Sequence, residues 1–148
     1  MLDRMSKLLM LLSALLAIAA SPTRYAEGQV WQYKTRIQDA GSLIKIQKIE
    51  KAERTTIYHI SIIGIHLGPD ASTPLQHAPV AQETLDASVT QQVPDPGTFP
   101  DATEGIAEWR SAQGGVFTIS LAEIAEVLQK TVPPGRQPSP GPQPSPTS

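Results

Sequence analysis

The chain holds three histidines, His59, His66 and His77, the smallest number that can build a three-histidine metal site. His59 and His66 stand seven apart in one predicted strand, so they point to opposite faces unless Gly64 bulges, and His77 falls in a predicted loop. That spacing does not converge on a metal, and no metal or cofactor is expected. Ser61 shares a strand face with His59, but neighbours on a flat strand do not reach the geometry of a Ser–His nucleophile, and there is no Gly-x-Ser-x-Gly elbow. Glu104 and Glu108 sit one helical turn apart, a carboxylate pair of the kind used on glycosides, yet an exposed acidic helix solvates such pairs. No catalytic set is therefore assigned. Trp31 and Tyr33, flanked by Lys34 and Arg36, either pack in the core or offer a stacking face for a sugar or an extended peptide. Together with Arg36, His59, His66, His77, Trp109 and Arg110 they are the residues through which binding is expected.

The rest of the chain must position these groups without covalent staples, because there is no cysteine and all three methionines lie within the first 19 residues. Arg4 and Lys7 precede the apolar run Leu8–Ala20, which ends in small residues; this is the layout of a secretory signal peptide over residues 1–19. The run is too short to span a bilayer. Ala17 and Ala19 set a cleavage before Ala20, with Ser21 as the alternative first residue. An exported domain is expected over 20–132, and no stable membrane span is expected after cleavage. Residues 133–148 hold half of the chain's 14 prolines and no other apolar side chain, the composition of a disordered, partly polyproline II tail.

Between them, Gly28–Arg36 alternates with the period of a half-buried strand, and Leu43–Ile49 resumes the alternation after the turn signal Asp39-Ala40-Gly41-Ser42. Thr55–Leu67 is a long β-branched run, apolar on both phases, hence an interior strand. Short connections predict an antiparallel meander. Pro69, Pro74 and Pro79 mark a loop over 68–79. Ala81, Leu85, Ser88 and Val89 recur at helical spacing, predicting a helix over Pro79–Gln92 opened by its proline. A second proline-rich loop spans 93–101. Thr103–Gln113 reads as a short helix stopped by Gly114-Gly115, and Val116–Ile119 as a short strand. Ser120 with Glu123 matches a capping box for a last helix to about Thr131. The expected fold is α+β, an antiparallel sheet of about four strands packed on two to three helices in the order β-β-β-α-α-β-α, without a phosphate-binding glycine loop or a second domain.

Charge divides along the chain: residues 20–54 carry seven basic and four acidic groups, residues 70–126 nine acidic groups and Arg110 alone. The layers either neutralise one another or present a docking surface to an oppositely charged protein. The mature chain is net negative and shows no basic motif with interleaved aromatics, which argues against nucleic acid.

Gly28-Gln-Val-Trp-Gln-Tyr-Lys-Thr-Arg36, the stretch from Ser42 through His59-Ile60-Ser61-Ile62, and Trp109-Arg110 with Gly114-Gly115-Val116-Phe117 together resemble an uncharacterised kind of small secreted bacterial α+β domain that opens with a Trp-x-Tyr strand. The resemblance covers about residues 28–130 and implies a single α+β domain; it brings no activity, substrate or catalytic residue. The expected function is an exported, non-enzymatic binding module, periplasmic or secreted, whose partner is an envelope or secreted protein, inhibitor- or immunity-like. The alternatives are a small periplasmic hydrolase or sugar-active enzyme, and a carrier of a small apolar ligand.

Overall fold

Alternating apolar residues at Val30–Tyr33 (β1), Leu43–Lys51 (β2) and Thr56–Ile63 (β3) form the predicted meander in a computed structural model that describes residues 24–69 and 72–131. The signal peptide expected over 1–19 and the tail expected over 133–148 lie outside the described residues. Two further strands, Leu75–Ala81 (β4) and Val89–Val93 (β5), complete an antiparallel sheet in the order β4-β3-β2-β1-β5. Three helices follow the meander, Gln82–Ser88 (α1), Thr103–Ser111 (α2) and Leu121–Thr131 (α3), so the fold is α+β as expected. No helix among the described residues is long and apolar enough to cross a membrane.

Register assigns the two faces of the sheet. Ile44 pairs with Trp31 and Ile62, Ile46 with Ile60, Ile60 with Ala78, and Tyr58 with Val80. Directly opposed residues share a face, so these side chains form one apolar surface. The α1 and α3 helices close it with Leu85, Leu121, Ile124 and Ala125, and Tyr25 meets Trp31 and Tyr58 edge-on. The opposite face carries His59, opposed by Lys48 and Pro79, and Ser61, opposed by Lys45. The α2 helix and the loop before it lie over this polar face: Gly105 abuts His77, Trp109 abuts His59, and the Pro100 carbonyl accepts from Gln47 Nε2 at 2.9 Å. Coverage on both sides explains why β3 is buried on both phases from Ile57 to Ile62.

The predicted single helix over Pro79–Gln92 is instead strand, helix and strand. Pro79 lies inside β4 opposite His59, where the missing N–H costs nothing at the sheet's margin; its carbonyl accepts from Phe117 N–H, and Ala81 N–H returns a bond to the Phe117 carbonyl. The helical spacing is real only for Gln82–Ser88, which buries Leu85 and Ser88. Val89–Val93 then pairs with β1 through Val93–Val30 and Gln92–Trp31. The expected strand at Val116–Ile119 reduces to a single bridge, Phe117 to Val80. Thr84 Oγ1 donates to the Ile119 carbonyl at 2.7 Å, which ties that segment to α1.

The capping box at Ser120 forms reciprocally: Glu123 N–H donates to Ser120 Oγ at 3.3 Å and Ser120 N–H to Glu123 Oε2 at 2.9 Å. The α2 helix ends where Gly114-Gly115 predicts, for a different reason. The left-handed residue is Gln113, at φ 50°. Gln113 N–H bonds the Arg110 carbonyl and Gly114 N–H the Trp109 carbonyl, a Schellman closure. Gly114 is required because the Trp109 ring lies across it; a Cβ there would collide with Trp109 Cδ1 and Nε1.

Candidate functional site

On the polar face, β2, β3 and β4 each contribute one titratable side chain to a line. The β2–β3 hairpin pairs Glu50 with Ile57, which sets Glu50 diagonally across from His59. Pairing of His59 with Pro79 does the same for His77. His59 Nε2 lies 3.0 Å from Glu50 Oε2, and His59 Nδ1 lies 2.8 Å from His77 Nε2. The two imidazoles stack with centroids 5.1 Å apart, and Trp109 meets His59 edge-on at 5.0 Å. Arg110 Nη2 donates to Glu50 Oε2 at 2.9 Å. His59 is fully buried and His77 partly so.

The hydrogen bonds dictate the tautomers. The Arg110 guanidinium, and then the His59 ring, hold the Glu50 carboxyl below its ordinary range, so it is ionised and accepts. His59 therefore carries its proton on Nε2, and its Nδ1 accepts from His77 Nε2–H. That leaves His77 Nδ1 with a bare lone pair. Burial pushes both imidazoles toward the neutral form: His59 is lowered by burial although Glu50 pulls the other way, and His77 is lowered to about 4 by burial and by His59. A carboxylate–imidazole–imidazole relay of this kind can hold and pass a proton.

Ser61 takes no part in it. Its Oγ donates to the Gln76 carbonyl at 2.6 Å and lies 3.1 Å from Gln47 Nε2, so no Ser–His pair forms. Glu104 and Glu108 are exposed on α2. His66 is separated from the other two histidines by the turn at Gly64, whose φ is 76°. Its Nδ1 lies 3.5 Å from Asp39 Oδ1, and among the described residues no three His, Asp or Glu side chains are placed so as to hold a metal ion.

Of the two readings of the Trp31–Tyr33 strand, core packing holds and no stacking platform is presented. Trp31 and Tyr33 are each 7% exposed, inside the core; Tyr33 OH pairs with Ser42 Oγ at 2.7 Å and Trp31 Nε1 donates to Gln29 Oε1. Arg36 is likewise no ligand-facing cation. It is buried, with Nε 2.6 Å from Asp39 Oδ2, Nη2 donating to the His66 carbonyl at 2.8 Å, and Nη1 reaching Gln129 and Glu126 on α3. Burial would raise the Asp39 carboxyl, but Arg36 and the His66 backbone N–H hold it below its ordinary value.

The proline-rich segments, predicted as loops, are tied into the sheet. Residues 75–79 of the first belong to β4, and the loop after β5 is pinned to the sheet by Pro100 and by the Lys45–Asp95 ion pair at 2.7 Å. That pair, Arg110–Glu50 and Arg36–Glu126 join the basic strands to the acidic second half of the chain. What does protrude is Ile37, 96% exposed at the tip of a 3-10 turn over Ile37–Asp39. Sequence reading misses Glu50, Asp39 and Ile37: hairpin register locates Glu50, whereas no local pattern marks Ile37. No family model, curated protein or solved structure matches this chain.

Proposed function

We propose that this chain is an exported, non-enzymatic binding module that grips a secreted or envelope protein, in the manner of an inhibitor or immunity protein, with Ile37 as the central anchor. The observation that carries the reading is a large apolar side chain left 96% exposed on a turn that is locked from beneath. The lock is made of buried groups: Asp39 N–H bonds the Arg36 carbonyl, Ser42 N–H the Asp39 carbonyl, and the Asp39 carboxylate receives both Arg36 Nε–H and His66 N–H. A partner that buries Ile37 gains about 1.5–3 kcal/mol from its apolar surface and meets little ordering cost, because the turn is already fixed. Export rests on the sequence of the leader.

Ile37 touches so little of its own chain that Ile37→Asp leaves thermal stability unchanged while weakening partner binding by about 30-fold or more, the loss typical of a central anchor. The check is a pull-down from the envelope fraction by the full chain and by the variant, followed by titration of the captured protein. Equal capture by both, or a partner that ignores the substitution, overturns Ile37 as the anchor.

A second reading has one observation in its favour, the bare His77 Nδ1 at the end of the Glu50–His59 relay, which suits a general base in a small hydrolase. Under that reading the chain hydrolyses an ester or glycoside, and His77→Ala abolishes turnover. The carrier reading gains no support from the cleft of about 540 Å³ between the β2–β3 hairpin and α1, because Lys51, Glu53, Arg54, Glu83 and Asp86 line it.

A further inference from the structure

We propose that α2 is an acid-released cover, held on the polar face of the sheet at neutral pH by the uncharged His59–His77 pair and let go when that pair takes up protons. The bond between the imidazoles spans 2.8 Å and needs one bare nitrogen between the rings. A first proton adds at His77 Nδ1, the one bare nitrogen, and a shift of the shared proton places its charge on His59 beside the Glu50 carboxylate. A second cannot, because two imidazolium rings would then oppose N–H to N–H across the same gap.

The free end of the pair lies beside α2 as well. His77 Nδ1 lies under α2 at Gly105, where even a methyl group would be 3.5 Å from it. Protonation at this nitrogen creates a donor that finds no acceptor among the described residues.

The surrounding charges do not offset this. From β2 the pair faces Glu50 and Lys48, and from α2 it faces Arg110, whose guanidinium is already committed to Glu50. Glu104 and Glu108 of α2 are exposed, and Asp101 in the preceding loop is bonded to Thr103. Beyond the two histidines, β3 and β4 bring no other titratable group to this face. Apart from the pair and the Trp109 contact, α2 is held by Ile106 and by the Arg110–Glu50 bridge, a small attachment for nine residues.

The direction follows from linkage. Wet imidazoles titrate near 6.5 and docked ones lower, His77 at about 4. The released state therefore binds more protons throughout that interval. Docking is fully favoured above about pH 6.5 and weakens as pH falls toward 4.

The experiment is hydrogen exchange on the full chain, read by mass spectrometry at pH 7, 5.5 and 4 and corrected for intrinsic rate. Protection of residues 103–111 is expected to fall at least tenfold from pH 7 to pH 4 while α3 keeps its own, and His77→Asn is expected to flatten that dependence. Unchanged α2 protection overturns the proposal, and so does parallel loss in α2 and α3, which would be global acid unfolding. Should the variant fail to fold, ring-nitrogen NMR of the unsubstituted chain decides: both His59 and His77 as Nε2–H tautomers titrating below 6 uphold the proposal, and either one titrating at 6.5 or above overturns it.

Discussion

Asp39→Ala is expected to cost about 3–5 kcal/mol, the range found when one partner of a buried ion pair is removed. Against a whole-domain stability of roughly 5–15 kcal/mol, that is a large part of what holds the fold. Asp39 is 1% exposed, and its two oxygens take different partners, Arg36 Nε at 2.6 Å and His66 N–H at 2.8 Å. Truncation strands a buried guanidinium and a backbone donor at once. Arg36 in turn holds the His66 carbonyl and α3 through Glu126 and Gln129, so the loss reaches from the 3-10 turn to the last helix. Removing both charges together, as Arg36→Met with Asp39→Leu, leaves nothing unpaired and is expected to cost less than Asp39→Ala alone. Urea unfolding of the three variants, read at the midpoint with unchanged slope, measures the difference. A loss below about 1 kcal/mol for Asp39→Ala would mean that Arg36 finds water in its place, and the rigid presentation of Ile37 would lose its basis.

How much of this is legible depends on whether a local signal exists. β1, β2 and β3 follow the alternation of their own residues, and α3 follows Ser120, Glu123 and the spacing of Leu121, Ile124 and Ala125. β4 and β5 carry no such signal. Leu75–Ala81 contains a proline that reads as a helix opener, and it becomes a strand only because Phe117 and β3 supply partners from elsewhere in the chain. Val-Thr-Gln-Gln-Val is too short and polar to announce a strand without the neighbouring β1. Tertiary pairing overrides local preference in both.

The candidate site divides in the same way. His59 and His66 are apart as expected, but the turn at Gly64 divides them and not alternation along one strand, since β3 ends at Ile63. Spacing along one strand cannot join His59 to His77, since their contact crosses from β3 to β4 and the residues of β4 read as loop. Arg36 reads as a surface group from the polar neighbours in its strand, whereas Asp39, three residues on, draws it inward. The chemistry of these residue types is legible, but their partners require the register.

The relay and its cover make one more prediction, in which the usual sign is reversed. Gly105 lies within α2, and in an ordinary helix interior Gly→Ala stabilises by roughly 0.8–1 kcal/mol. Here the added Cβ would fall 2.7 Å from His77 Cβ and 3.2 Å from its Cγ. The obstacle is the root of the side chain, which a rotamer change cannot move aside, so either His77 or the helix must shift. Gly105→Ala is therefore expected to destabilise by about 1–3 kcal/mol, the usual cost of overpacking, and to lengthen the His59–His77 bond. Combining it with His77→Gly removes the obstacle, and in that background Gly105→Ala is expected to recover the ordinary helix-stabilising effect of alanine. A thermal or urea double-mutant cycle reads this sign change as a coupling of at least about 2 kcal/mol. An additive cycle would mean that α2 does not rest on His77, and the acid-released cover would fall with it. The observed coupling would instead show that one glycine sets how closely the helix approaches the paired imidazoles, and hence how dry they are and how readily they take a proton.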